Sequence, residues 1–460
     1  MRRILPVILV FGLSQLLIVS CKKDDPIEKV SREIIATNKW IDDNMSLYYL
    51  WNEFIPTGID YTRESDPKAF FFKLLYRDLD KWSQITDDYP KLESELNGDP
   101  VTMGYRPAFY LTGNNNVIIV VSYVYPGSPA EEAGLKRGNI ILSIDNKQLD
   151  TTNYQDLYSG TSYQVQLGAV VGNSLVYTGE SLNMTARTTM TDPAIYYQLF
   201  EQEGHKIGYL VYVEFIKGPN EMYLRQLDNI FNEFKAEGIS DLIIDLRYNP
   251  GGEVDAAVYL ASLIAPAPVA TGNETLVNLN YNHDLQQYME YNNHDDLLSY
   301  KFTNTTSNIG LNRVCFLTTS SSASASELVI IGLDPYMEVI LVGEPTFGKY
   351  TGAWVIPDDN MKWAIMPIVS KFSNSVGFTD FFDGLMPDHQ VDDDLFSAVP
   401  FGDLSDPMIA KAVEQLTGGI PPATPKKSAA PGLHLYKKII PPQQNIRNNL
   451  ILPQKGMKLK

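Results

Sequence analysis

Between residues 206 and 342 short apolar runs alternate with helical stretches, and this alternation limits the possible folds more than any other feature. One run carries Ile207, Tyr209, Leu210, Val211 and Val213. Leu242-Ile243-Ile244-Asp245-Leu246, Val314-Cys315-Phe316-Leu317 and Val339-Ile340-Leu341-Val342 follow. Between the first two, Leu224, Leu227, Ile230, Phe231 and Phe234 form an apolar stripe at helical spacing, stopped by Gly238. Strands alternating with helices imply a layered sheet covered by helices, with functional loops gathered at the strand ends.

Three of those strand ends carry chemistry-bearing residues. Arg247-Tyr248-Asn249-Pro250-Gly251-Gly252 opens a helix through Ala257, Val258, Leu260 and Leu263. Ser322-Ala323-Ser324-Ala325-Ser326-Glu327 runs into Leu328-Val329-Ile330-Ile331, a strand, tight turn and helix with hydroxyls at the helix entrance. A nucleophile there has amide donors and the positive end of a helix dipole beside it. Serine is also a favoured helix starter, so a capping cluster is the competing reading. The third is Gly343-Glu344-Pro345-Thr346-Phe347-Gly348-Lys349, where Phe347, Tyr350 and Trp354 supply an apolar setting. Burial disfavours the ammonium form, so a lysine in such a setting can act as a base.

Rival chemistries find no motif. None of His205, His283, His294, His389 and His434 sits in a glycine-framed or strand-end context. Gly-x-Ser-x-Gly, His-Glu-x-x-His, paired cysteines and a phosphate-binding Gly-Lys-Ser/Thr loop are all missing, so neither metal nor cofactor is expected. Lysine remains as the base. On physical grounds Ser322, Ser324 and Ser326 are equivalent candidates, and Glu327 either orients its neighbours or simply favours the helix N-terminus.

Upstream, the apolar strand Val117-Ile118-Ile119-Val120-Val121 leads into Ser128-Pro129-Ala130, Ala133-Gly134-Leu135, Gly138-Asn139 and Ile141-Leu142-Ser143-Ile144-Asp145. That order resembles PDZ domains, and the resemblance implies that Met103-Gly104-Tyr105 is a carboxylate-binding loop beside which a peptide adds as a strand. With the PDZ-like region, the Asp245 to Gly252, Ser322 to Glu327 and Gly343 to Lys349 motifs resemble the C-terminal processing (tail-specific) serine peptidases of family S41, over residues 101–395. The resemblance implies Ser324 as nucleophile, Lys349 as base, and the amides of Ala325 and of Gly251 or Gly252 as oxyanion donors. It also shows a departure. Many members carry a glutamine four residues after the lysine, where this chain has Ala353, which leaves Thr351 as the substitute in an orienting role. The expected activity is endoproteolysis of unfolded or C-terminally tagged protein segments. The second reading, motivated by Ala353, is a peptide-binding scaffold with weak or no catalysis.

The remaining segments complete the organisation. Arg2 and Arg3 precede an apolar segment that ends at Cys21, the pattern of a secretory signal with a lipobox-like cut site. Cys21 is therefore the expected lipid anchor, in the cell envelope at the outer membrane, on its periplasmic or exterior face. The only other cysteine, Cys315, lies in a strand and reads as a packing residue. Residues 31–98 carry aromatics at helical spacing, Trp40, Tyr48, Trp51, Phe70 and Phe71 among them, and read as a helical domain. Residues 273–310 are polar and read as an irregular insertion. After Glu414 no acidic residue occurs while lysine and proline recur. A formal charge of −18 argues against nucleic-acid binding.

The expected fold class is a multidomain α/β and β chain: signal peptide 1–21, tether 22–30, N-terminal helical domain 31–98, PDZ-like domain 99–190, layered α/β peptidase domain 191–410, and a disordered basic tail 411–460.

Overall fold

The computed structural model describes residues 30–172, 174–379, 381–419, 436–439 and 450–452. The expected signal peptide with Cys21, nearly all of the tether and much of the tail lie outside these residues.

The N-terminal unit is helical because its apolar residues recur at helical spacing behind polar caps. In α1 (Arg32–Tyr48) the Ser31 hydroxyl caps the helix by accepting from the Ile34 amide, and Ile41, Met45 and Tyr48 are buried. Helix α2 (Pro67–Lys73), capped by Asp66, buries Phe70 and Phe71. A short strand β1 (Gln84–Thr86) and helix α3 (Tyr89–Asn97) follow.

The PDZ-like unit is an antiparallel sheet of β2 (Tyr105–Leu111), β3 (Val117–Val124), β4 (Ile140–Ile144), β5 (Ser162–Val171) and β6 (Ser174–Thr185), neighbours in that order. Its helical turn, α4 (Pro129–Glu132), sits between β3 and β4. Phe109, Ile119, Val121, Ile141 and Val165 form its own core, but Ala108, Ile118 and Val120, pointing the other way, pack on the main sheet. Period-two alternation thus gives β2 and β3 two buried faces.

The main sheet runs β7 (Ala194–Gln202), β8 (His205–Tyr212), β9 (Asp241–Asp245), β11 (Arg313–Thr318) and β12 (Glu338–Gly343). The β7–β8 pair is antiparallel and the others are parallel. Helices α5 (Met222–Glu237), α6 (Val254–Ile264) and α7 (Ala325–Leu333) cover one face, joined there by Ile244, Val314 and Phe316. Ile243, Cys315 and Leu317 pack on the opposite face with the PDZ-like unit. Both faces are covered, which is why these strands read as unbroken apolar runs.

Residues 273–310 correct the expectation of an irregular insertion. They hold β10 (Thr275–Tyr281), the helix His283–Tyr291 and a short strand Ser299–Lys301. Leu276, Val277, Leu279 and Tyr281 are buried while the polar residues between them face outward, so average polarity masked the pattern. Strand β15 (Ile368–Asn374) pairs antiparallel with β10 and with β13 (Thr351–Ala353), and β14 (Ala364–Met366) pairs with β1.

The tail boundary at 410/411 also needs correction. Helix α8 (Pro407–Thr417) runs across it, capped by Asp406, stopped by Gly418 in the left-handed region, and buries Met408, Ile409, Ala412, Val413 and Leu416 on the main sheet. Beyond it, Lys437–Ile439 (β16) and Leu450–Ile451 (β17) are hydrogen-bonded strands. Composition missed them because strand addition uses backbone groups, whatever the side chains.

Candidate active site

The three sequence motifs converge at the ends of β9, β11 and β12. The β9 loop turns sharply through Asn249, whose side chain donates to Tyr212 O at 2.9 Å and accepts the Gly251 amide at 2.9 Å. Gly251 has φ 109°, and a methyl on it would lie 2.9 Å from Ser324 Cβ and 3.1 Å from the Ala325 nitrogen. Only glycine leaves that space open.

At the entrance of α7 the three serines are no longer equivalent. Ser322 Oγ donates to Leu246 O at 2.7 Å and accepts the Thr319 amide at 3.0 Å. Ser326 Oγ donates to Asn249 O at 3.0 Å. Ser324 Oγ is buried and has no hydrogen-bond partner among the described residues. Ser324 has φ 60° and ψ −104°, an unfavourable conformation for a non-glycine residue. Such strain persists only where surrounding structure enforces it. The capping reading holds for position, because Ser324 begins the helix, but not for its hydroxyl.

The side chain that fixes this geometry is Glu327, fully buried in the first turn of α7. Its Oε2 accepts the Ser324 amide at 2.7 Å and the Lys349 amide at 2.9 Å. Its Oε1 accepts the Gly348 amide and the Thr346 hydroxyl, each at 2.6 Å. Burial raises the Glu327 pKa, and the Thr346 hydroxyl and the amides oppose it. From sequence Glu327 was either an orienting residue or one favoured at a helix N-terminus; it lies in the first turn of α7 with its oxygens accepting these four groups.

Lys349 is fully buried, and burial pushes its pKa down to about 7, opposed by the charges of Asp80 and Glu327. Its ammonium nitrogen lies 5.9 Å from the Trp82 ring centroid. Trp82 packs with Ala353 and Ile368. Asp80 is itself buried and accepts the Tyr49 hydroxyl and the amides of Trp82 and Ser83. Sequence reasoning missed Asp80 and Trp82. They belong to the N-terminal unit, and nothing local ties them to a lysine so far along the chain. Thr351 is buried beside Lys349 in sequence, but its Oγ1 makes no hydrogen bond among the described residues, so it does not orient the lysine that way.

Met103, Gly104 and Tyr105 lie at the start of β2, away from this cluster in the PDZ-like unit. Met103 and Tyr105 point into that unit's core, and the Gly104 amide donates to Thr102 Oγ1 at 3.1 Å. The two units are tied by Arg137, which donates to Ser122 O at 2.9 Å, to the Tyr248 hydroxyl and to Asp393. Arg247, fully buried, joins the same network through Asp245, Asp393 and Asp406. Among the described residues no cluster of His, Cys, Asp and Glu could hold a metal ion, and no helix is long and apolar enough to cross a membrane.

Comparison with known proteins gives the same three parts. Residues 206–391 match peptidase family S41, residues 36–84 the peptidase S41 N-terminal domain, and residues 120–164 the PDZ domain. A carboxyl-terminal-processing protease of Picosynechococcus sp. is 25% identical over 307 residues, covering 65% of this chain and 67% of that protein. The carboxy-terminal processing protease CtpA of Bacillus subtilis is 26% identical over 241 residues, and the match spans 45% of its length. Among solved structures, an S41 protease assignment from Bacteroides fragilis NCTC 9343 superposes with a TM-score of 0.68 at 29% identity, covering 82% of this chain and 97% of that one.

Proposed function

We propose that this chain, a serine-type peptidase with an S41 peptidase domain and a PDZ domain, cleaves unfolded or C-terminally tagged protein segments with a Ser324–Lys349 dyad. The observation that carries this reading is the Glu327 carboxylate: one oxygen accepts the backbone amides of both Ser324 and Lys349, holding the two residues together in a buried site.

In this reading neutral Lys349 Nζ takes the Ser324 hydroxyl proton as Oγ attacks the scissile carbonyl carbon. The developing oxyanion is received by the Ala325 amide at the N-terminus of α7 and by the Gly252 amide, since the Gly251 amide is committed to Asn249. The lysine then returns the proton to the departing amine. Water, deprotonated by the same lysine, then attacks the acyl carbon; the bond to Ser324 Oγ breaks and the lysine passes its proton to that oxygen, restoring the free hydroxyl. The PDZ domain takes the substrate's C-terminal segment at the Met103-Gly104-Tyr105 loop as an added strand. Cys21 anchors the protein by a lipid in the cell envelope.

The test is proteolysis of a disordered protein by the purified chain. Ser324→Ala and Lys349→Ala are expected to lower turnover by roughly 10⁴–10⁶-fold with folding retained. Undiminished cleavage by both variants overturns the assignment. Saturable peptide binding by the unsubstituted chain without turnover would instead indicate the scaffold reading.

A further inference from the structure

Two short stretches near the chain's own C-terminus, Lys437–Ile439 and residues 450–452, lie along the surfaces that the proposed function gives to substrate. Strand β16 adds antiparallel to the outer edge of β2, with Ile439 opposite Phe109, Lys438 opposite Tyr110 and Lys437 opposite Leu111. This is the free edge that starts from the Met103-Gly104-Tyr105 loop. Lys438 Nζ reaches Ser321 Oγ at 3.4 Å, and Lys438 and Ile439 close a crevice lined by Arg106, Phe109, Ser321 and Phe347. Strand β17 then lies between the oxyanion loop and β13. The Ile451 amide donates to Gly252 O at 2.8 Å and the Leu452 amide to Ala353 O at 3.0 Å. Ile451 bridges Glu253, and Leu450 and Ile451 pair in parallel with Gly352 and Ala353.

The fit is specific for an aliphatic side chain. Leu452 is 2% exposed and joins the main core. It sits against Gly352, where a methyl would lie 2.8 Å from Leu452 Cδ1. This strand is held between two backbones, one carrying Gly252, the proposed oxyanion donor, and the other Ala353, four residues past the proposed base.

We propose that Lys437–Ile439 and residues 450–452 are substrate-like stretches bound in cis, and that a protein substrate must displace them to enter the cleft. The substrate class follows from their contacts: an extended, strand-forming segment with a branched aliphatic side chain at the position of Leu452. This inference rests on the Ser324–Lys349 reading for the location of the cleft, but its test does not depend on cleavage.

The probe is a fluorescein-labelled peptide of residues 446–456, titrated by anisotropy into full-length protein carrying Ser324→Ala. Adding Leu452→Asp to the protein should free the cleft and tighten peptide binding roughly tenfold, because the competent state becomes more populated. Ile451→Pro, which removes the amide donated to Gly252 and leaves Leu452 unchanged, should act in the same direction and guards against misfolding of the first variant. A labelled peptide that itself carries Leu452→Asp should not bind. Equal peptide affinity for all three proteins, or equal binding of the two peptides, overturns the proposal. Failure of the dyad reading shows separately, as proteolysis undiminished by Ser324→Ala, and leaves these binding results interpretable.

Discussion

At the scale of single residues, the proposed mechanism depends on a lysine kept near neutrality. Burial brings the Lys349 pKa from 10.5 to about 7. Because the proposed mechanism makes the neutral amine the base, kcat/KM is expected to rise about tenfold per pH unit below pH 7 and to level above it. A pH–rate profile flat through this range would remove Lys349 from the reaction. The same shift has a stability consequence of opposite value to the protein. Between about pH 7 and 10.5 the unfolded chain holds the Lys349 proton and the folded chain does not, so stability rises with pH across that window. Lys349→Met is therefore expected to raise stability at pH 7, by roughly 2–4 kcal/mol in denaturant titration, while abolishing activity. Ser322→Ala and Ser326→Ala remove hydrogen bonds to Leu246 O and Asn249 O. Each should lower stability by about 1 kcal/mol and leave kcat within a few-fold. These hydroxyls were indistinguishable in sequence because all three share one composition and one helix start; only their partners separate them.

At the scale of elements, the site is a join between the α7 entrance and the loop after β12, and Glu327 makes that join. Glu327→Gln keeps the shape but replaces an acceptor oxygen with a donor nitrogen facing amides. Roughly 1–3 kcal/mol of stability is expected to be lost, together with most activity. A Glu327→Gln protein of unchanged stability would refute the stapling role. Helix α8 makes a second join: the Asp406 side chain caps it and also receives the buried Arg247 guanidinium at 2.8 Å. Asp406→Ala should destabilise by roughly 3–5 kcal/mol, since it leaves that guanidinium short of a partner. Neither the helix across the 410/411 boundary nor the Arg247 partner of its Asp406 cap was read from the sequence.

At the scale of the whole molecule, the N-terminal unit forms part of the surroundings of Lys349. Its Asp80 charge favours the ammonium form of Lys349 and its Trp82 ring covers it. Asp80→Asn is expected to lower the Lys349 pKa further and move the acidic limb of the pH–rate profile to lower pH. A limb that stays in place, with folding intact by circular dichroism, would show that the charge does not reach the lysine. The PDZ-like unit is joined to the same body through Arg137, Tyr248 and Asp393 and by apolar packing of β2 and β3 on the main sheet.

The sequence by itself determined the α/β layering, because periodicity and turn chemistry are local properties of the chain, while the PDZ-like region and the three motifs were legible through the resemblance of their residue order to known families. It misjudged residues 273–310 and the 410/411 boundary, where averaged polarity hid buried alternation and an apolar helical stripe. Only the tertiary structure decided which serine hydroxyl is left without a partner, what Glu327 holds, and that Asp80 and Trp82 reach Lys349. It alone placed Leu450–Ile451 beside Gly252. Each of these rests on burial and backbone pairing between segments distant in sequence, which local spacing does not encode.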